Sequence, residues 1–468
     1  MKTETRDQTR YLKFSGYLGY ICGVPGMACM NTFVNTFILI FLTDSIGLNA
    51  AIIGTLMLVA KFVDGITDLL FGAIMDRTKH RLGKARPWFI RNIVPLVLSA
   101  CLLFYTPSGG GAASYLYFFV VYLLYNAVCY TIAYLTTSAM PIRMTRNDQE
   151  RVKMGVFSVI PQMALGIGMS FVTTNLVMKM GGGVAGWRSV AFIYAGIALV
   201  LLIICGVFCK ELPEEVLSQD ETPAEKRAGN EKFSIPDMIR SVSGNKFVWL
   251  MFGYTVFFAL STTVANSTGT YYVKYVLGDE SLLGMITLVS LLPMIISLII
   301  TPLLTRKFSV HTVISRGFTF ASVMALLMVI FAFMRQPMLM FAVMALRGLG
   351  VGPFTGLSQA VNGQIVEYSR VKDGHDITGN LLGLATLGGK IGEGLSSLVT
   401  GALLTISHYD GLAAEQPASA ITAIIVIFAV VPFICYIFET IIVWKLNPAA
   451  AIKQVLESRG QTAEPPMK

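Results

Sequence analysis

The chain has 468 residues, 54% of them hydrophobic and only 13% charged, with a mean hydropathy of +0.66. These values exclude a string of ordinary soluble domains and describe an integral membrane protein. The formal net charge of +9 does not point to nucleic acid, because the lysines and arginines are spread over short connections and form no clustered basic module.

The opening stretch "MKTETRDQTRYLKF" is charged and polar. No short apolar core with a small-residue cleavage site follows it, so no removable signal peptide is expected. From there apolar runs of about 18 to 28 residues recur nearly to the C-terminus, each long enough to cross a hydrocarbon core of ~30 Å as a helix. The runs are continuous and do not alternate, which sets them apart from barrel strands. They place membrane helices at 15–43, 50–75, 89–106, 114–139, 154–178, 188–209, 247–276, 282–304, 310–334, 337–366, 378–406 and 418–445, twelve in all.

Between the sixth and seventh spans the composition changes to "KELPEEVLSQDETPAEKRAGNEKFSIPDMIRSVSGNK". It reads as a flexible tether over 210–231 followed by a short amphipathic helix over 234–243, with Ile235, Met238, Ile239 and Val242 on one side, or as a plain disordered loop. The expected organisation is an N-terminal six-helix bundle (1–209), a linker (210–246), a C-terminal six-helix bundle (247–446) and a tail (447–468). Six spans plus six with a long connection suit a transporter whose two bundles rock around a central site. The internal symmetry is faint: "FGAIMDRTKHR" after the second span has only a degenerate counterpart in "ITPLLTRKFSV" after the eighth.

Alternate connections carry the cations: Arg77, Lys79, Arg81, Lys84, Arg86 and Arg91, then Arg143, Arg146, Arg151 and Lys153, then Arg306 and Lys307, then Arg370 and Lys372. By the positive-inside rule these connections and both termini are expected in the cytoplasm. The seven cysteines fall within or at the edges of apolar spans without metal spacing and read as buried small hydrophobes. The four histidines sit apart in connections, so no metal cluster is expected. The glycine stretches at 166–168, 347–353 and 388–394 lie inside spans, where small residues let helices approach closely.

The costly residues are those charged at bilayer depth. Asp64 and Asp68, at i and i+4 of the second span, share one helix face with Thr67 beside them. Two carboxylates and a hydroxyl make an oxygen cage suited to a small hard cation or a shared proton. Such a pair needs compensation, for which Lys390 and Lys61 are candidates; a fixed salt bridge or a helix cap is the structural alternative. Asp76 and Arg77 end the same helix, either as a topology signal or as a conformation-dependent gate. Lys274 and Glu439 lie near helix ends and read first as snorkelling side chains, whereas Arg347 and Glu393 stay open between a cavity-lining and a structural role. Tyr20, Tyr130, Tyr134, Tyr254 and Phe258 are candidate platforms for a sugar ring, and Asn31, Asn35, Asn266 and Asn380 candidate polyol ligands, with core packing and helix-to-helix hydrogen bonding as the alternatives.

Several stretches resemble one known family. "FLTDSIGLNAAIIGTLMLVAKFVDGITDLLFGAIMDRTKHRLGKARPW", "YTIAYLTTSAMPIRMTRNDQERV", "TYYVKYVLGD" and "GQIVEYSRVKDGHDITGNLLGLATLGGKIGEGLSSLVTG" are similar to the glycoside-pentoside-hexuronide:cation symporters, the melibiose permease group of the major facilitator superfamily. The resemblance implies an all-α, twelve-helix major facilitator fold in the plasma membrane. It implies a secondary active transporter, not an enzyme, that couples a sugar or glycoside to Na⁺, Li⁺ or H⁺ by alternating access, with no cofactor and no metal beyond Na⁺. It puts the coupling cation on Asp64, Asp68, Thr67 and Thr131, or Tyr130 if the register slips by one, with Lys390 as their charge partner. A substrate site over Tyr20, Asn31, Tyr130, Tyr134 and Lys390, a cytoplasmic gate at Asp76 and Arg77, a functional monomer and no nucleic-acid partner complete the expectation.

There are departures as well. Thr67 stands where melibiose permease has asparagine, the first span has no acid between Tyr17 and Thr43, the fourth-span acid position falls near Ala133 or Tyr134, and the arginine position of the fifth falls near Val159. The cation machinery is thus expected without the galactoside site, which leaves a proton-coupled carrier or exporter of a non-sugar solute as the alternative.

Overall fold

The computed structural model describes residues 11–109, 111–145, 147–213, 244–373, 377–413 and 415–458. The expected amphipathic helix over 234–243 and the side chains of Asp76, Val159 and Asn380 lie outside the described residues. Every regular element among the described residues is helical: α1 (Phe14–Ile40), α2 (Ala50–Arg77), α3 (Arg86–Leu103), α4 (Ala112–Leu123), α5 (Thr131–Met144), α6 (Asp148–Lys179), α7 (Gly183–Phe208), α8 (Lys246–Tyr271), α9 (Leu282–Thr305), α10 (Val310–Phe333), α11 (Pro337–Asp373), α12 (Thr378–Ile406), α13 (Ala418–Ile425), α14 (Val431–Lys445) and α15 (Pro448–Ser458). π-Helical turns over Phe41–Ser45, Leu124–Tyr130, Tyr272–Leu277 and Val426–Val430 continue α1, join α4 to α5, continue α8 and join α13 to α14.

Among the described residues, eleven stretches are long and apolar enough to cross a membrane. The twelfth expected span is α12, 29 residues long, whose glycines, serines, threonines, Lys390 and Glu393 dilute its apolar character below that of the others. The spans expose apolar stripes that water would penalise and a hydrocarbon phase does not: on α2, Phe62, Ile66, Leu70 and Ile74 are half-exposed one turn apart.

Helix starts follow local chemistry. Asn49 Oδ1 accepts from the backbone N–H groups of Ala51 and Ile52 at 3.0 and 3.2 Å, Asn245 Oδ1 from that of Phe247 at 3.0 Å, and Ser309 Oγ from that of Thr312 at 3.2 Å. The start of α3 is capped from far away in sequence. Glu211 accepts from the N–H groups of Lys84, Ala85 and Arg86 at 3.0, 2.8 and 2.6 Å, and Arg143 Nη1 lies 3.5 Å from it. Glu211 falls in the segment read as a tether. It is held because a carboxylate at a helix N-terminus meets both unpaired N–H donors and the positive end of the dipole.

The chain forms two compact units, one of residues 1–232 with 410–414, the other of residues 233–409 with 415–468. In the first, α1 packs on α6 and α7, and α2 lies against the α4–α5 span. Its core includes stacked rings, with Phe33 and Phe104 4.5 Å apart and Phe33 edge-on to Tyr194 at 5.2 Å. In the second, α8 packs on α12 and α14, and α11 on α9 and α10. Tyr254, Phe318 and Phe354 form its aromatic centre, at 4.0 to 5.7 Å. The tail after 447 begins with α15, which lays Ala451, Ile452 and Val455 on that core.

The two units share one local device. The first span of each ends in a π-helical turn followed by a glycine in the left-handed region, Gly47 at φ 80° and Gly278 at φ 71°. It is a clearer trace of duplication than the basic loops. Six of the seven cysteines are buried and Cys22 is half-buried. The glycine stretches differ among themselves: a Cβ on Gly392 would run into the Val256 carbonyl oxygen of α8, whereas Gly166 and Gly168 meet nothing within 4 Å.

Gly392→Val is therefore expected to cost about 1–3 kcal/mol by overpacking, while Gly166→Ala stays within ~0.5 kcal/mol. Glu211→Ala is expected to cost about 2 kcal/mol through the lost cap. Thermal midpoints of the purified variants in detergent check all three.

Candidate functional site

Three helical segments of the first unit bring their polar groups to one point. On α2, Lys61 and Asp64 are buried and Asp68 is half-buried, on the side away from the exposed Phe62–Ile74 stripe. Facing them is Thr131, the first residue of α5, itself buried. Its Oγ1 lies 2.8 Å from Asp64 Oδ1, 2.9 Å from Asp68 Oδ1 and 3.2 Å from the Asn126 carbonyl oxygen.

The π-helical turn over Leu124–Tyr130 makes this possible. Its wider hydrogen-bond ring lets the Thr131 backbone N–H reach the carbonyl of Asn126, five residues back, and the side chain reaches the same oxygen. Asn126 then joins the second buried charge, with Lys61 Nζ donating to Asn126 Oδ1 at 3.4 Å. Asn126 went unnoticed in the sequence because only a π-turn brings position i−5 onto the same group as position i. No residue pattern announces such a turn.

A hydroxyl carries one proton, and here three oxygen acceptors lie within hydrogen-bond distance of it. Thr131 can satisfy one carboxylate but not both. The two carboxylates therefore compete for that one proton, and Thr131 is the group they share. Thr67 is placed differently from expectation: its hydroxyl donates to the Asp64 backbone carbonyl at 3.0 Å, within its own helix.

The other candidates are distributed as follows. Tyr130 stacks on Tyr134 at 6.2 Å and tilts toward Tyr125 at 6.2 Å, so a tyrosine ladder runs along the helix that carries Thr131; Tyr134 is 44% exposed. Asn31 accepts from Asn35 Nδ2 at 2.9 Å. Tyr20 is buried on α1, near Cys205 of α7 and Cys209 just after it. Arg77 is exposed at the end of α2. Lys390 and Glu393 lie half-buried on α12 in the second unit. Glu439 does not snorkel: it is fully buried on α14, which packs on α8 and α10, and Ser261 of α8 offers it a partner in the interior. Lys274 turns its ammonium to the Tyr275 ring, 4.8 Å from its centre.

Comparison with known proteins decides the family. The model of the MFS/sugar transport protein family matches residues 19–447. The chain belongs to that family. It is similar to the isoprimeverose transporter of Lactiplantibacillus pentosus, at 28% identity over 87% of this chain and 83% of that one. Against the inner membrane symporter YicJ of Escherichia coli (strain K12) the identity is 25% over 95% of this chain and 94% of the other. Among solved structures, that of a D-xylose-proton symporter aligns with a TM-score of 0.64 at 14% identity, covering 92% of this chain and 97% of that one, which shows the major facilitator fold. The protein is a multi-pass membrane transporter that works with a coupling cation on a small-molecule substrate.

Thr131→Val, which removes the shared hydroxyl, is expected to cost about 2 kcal/mol of stability, and Thr131→Ser less than ~0.5 kcal/mol. Thermal midpoints read both; equal losses would show that the β-methyl group, not the hydroxyl, is what counts.

Proposed function

We propose that the protein takes up a sugar or glycoside by symport with a cation, and that Asp64, Asp68 and Thr131 bind the coupling ion. The observation that carries this is the single Thr131 hydroxyl shared by two carboxylates, 2.8 and 2.9 Å away. Two carboxylates gathered on one hydroxyl at bilayer depth form an oxygen site of the kind that takes a mobile positive charge. The symporter relatives support the activity, and the tyrosines beside the site supply a ring platform for a sugar.

H⁺ is the coupling ion favoured by this geometry, with Na⁺ and Li⁺ as competitors. The oxygens stand at hydrogen-bond separations, so a proton fits between them without rearrangement, whereas Na⁺ would have to spread them to coordinate. Thr67 is engaged with its own backbone and leaves the oxygen set at the two aspartates, Thr131 and Asn126.

In the proposed cycle the coupling ion neutralises the pair, the substrate docks on the Tyr130–Tyr134 face with Tyr20, Asn31 and Lys390 as further contacts, and the loaded carrier changes access. With either ligand alone a buried charge stays uncompensated, which disfavours the crossing and enforces coupling. Lys390 serves as the charge partner in the empty carrier, and Asp76 with Arg77 as the cytoplasmic gate. The carrier acts as a monomer in the plasma membrane with both termini in the cytoplasm, as the distribution of basic connections implies.

The test is uptake across a panel of glycosides, glucuronides and pentosides in vesicles under imposed H⁺, Na⁺ or Li⁺ gradients. The wild type should concentrate at least one sugar under the H⁺ gradient with matching proton uptake. Asp64→Asn and Asp68→Asn should abolish concentrative uptake while leaving counterflow exchange. Uptake driven by Na⁺ and blind to pH would reassign the ion, and uptake unchanged by either substitution would make the aspartates structural.

A further inference from the structure

The second unit holds a buried acid of its own. Glu439 lies on α14, 0% exposed. Its Oε1 is 3.1 Å from Ser261 Oγ, and among the described residues its Oε2 has no hydrogen-bond partner. Ser261 Oγ also lies 3.0 Å from the Phe258 carbonyl oxygen, one turn back on α8.

One hydroxyl proton again faces two acceptors. The Phe258 carbonyl can only accept, so when Ser261 donates to it, the contact with Glu439 needs a proton from the glutamate. A neutral acid gives an unbroken chain: Glu439 Oε1–H donates to Ser261 Oγ, and Ser261 Oγ–H donates to Phe258 O. An anion would leave Oε2 uncompensated in the interior, at a cost of several kcal/mol.

Groups that face Glu439 electrostatically come from each side. They are Arg347 of α11, Tyr254 of α8, and Cys435 and Tyr436 of its own helix. Arg347 is buried too, but its guanidinium lies over the Tyr436 ring, 5.4 Å from the centre, with Nη1 3.4 Å from the Met328 sulfur. Its charge is thus at hand without being hydrogen-bonded to the carboxyl group.

We propose that Glu439 is a proton-binding site of the second unit, separate from the Asp64–Asp68 pair, loaded in this conformation, with Arg347 as the charge that balances its anion once the proton is lost to solvent. On discharge the Oε1–H bond breaks, the electron pair stays on the carboxylate and the proton leaves to solvent. Ser261 then turns its own proton from Phe258 to Glu439, and Arg347 balances the anion. The proposal does not rest on the reading of Asp64 and Asp68.

Infrared spectra of the full chain in lipid, in H₂O and D₂O at neutral pH, test it. A protonated-carboxyl C=O band that shifts down in D₂O is expected in the wild type and in the Asp64→Asn, Asp68→Asn double variant, and to be missing when Glu439→Gln is added to that double variant. Ser261→Ala should keep the band but move it to higher frequency, since the acid loses its acceptor. Arg347→Gln should raise the pH of half-loss by about one unit, a tenfold tighter hold on the proton. Loss of only carboxylate stretches in Glu439→Gln overturns the proposal. An unmoved band in Ser261→Ala overturns the hydrogen-bond chain, and this readout stands even if Glu439→Gln does not fold. An unmoved pH profile in Arg347→Gln removes Arg347 from the role.

Discussion

Two carboxylates one helical turn apart share a single hydroxyl inside an apolar protein, and much of the first unit is arranged to make that tolerable. Water would solvate both charges; a hydrocarbon surrounding cannot. The protein answers with a buried lysine held by Asn126, and with Thr131 at the start of the next helix, its backbone N–H tied by a π-turn to the Asn126 carbonyl. Thr131 is the point at which the two acids meet, one proton between two carboxylate oxygens.

The scaffold around it is built for close helix contact, because lipid gives helices little hydrophobic reason to associate. Packing therefore depends on shape, and Gly392 against the Val256 carbonyl is the extreme case. Polar groups at helix ends are settled locally where sequence allows, as at Asn49 and Ser309, and at long range where it does not, as with Glu211 on the start of α3. That last contact fixes the beginning of the central connection to the first unit.

The second unit repeats the same chemical problem in another form. Ser261 stands between a carbonyl and a carboxyl group as Thr131 stands between two carboxylates, each a single proton among more oxygens than it can serve. Such counting exposes protonation chemistry without reference to charge magnitudes, which vary most in buried settings. It also shows why buried acids in a membrane protein are questions of proton number before they are questions of pairing.

The sequence by itself determined the class and the spans, since hydrocarbon thickness imposes length and hydropathy on every crossing helix. It also marked Asp64 and Asp68, because carboxylates at i and i+4 inside an apolar run are too costly to be incidental. Thr131 came from family resemblance, and the structure brings it to both aspartates. Asn126, the engagement of Thr67 with its own backbone, the anchoring of Glu211 and the burial of Glu439 were decided only by tertiary structure. Thr67 turns to a carbonyl three residues back in its own helix, and the others depend on contacts 65 to 178 residues away or on a π-turn, which leave no local mark. Position near a helix end suggested that Glu439 reaches for water; a serine on another helix gave it a reason to stay inside.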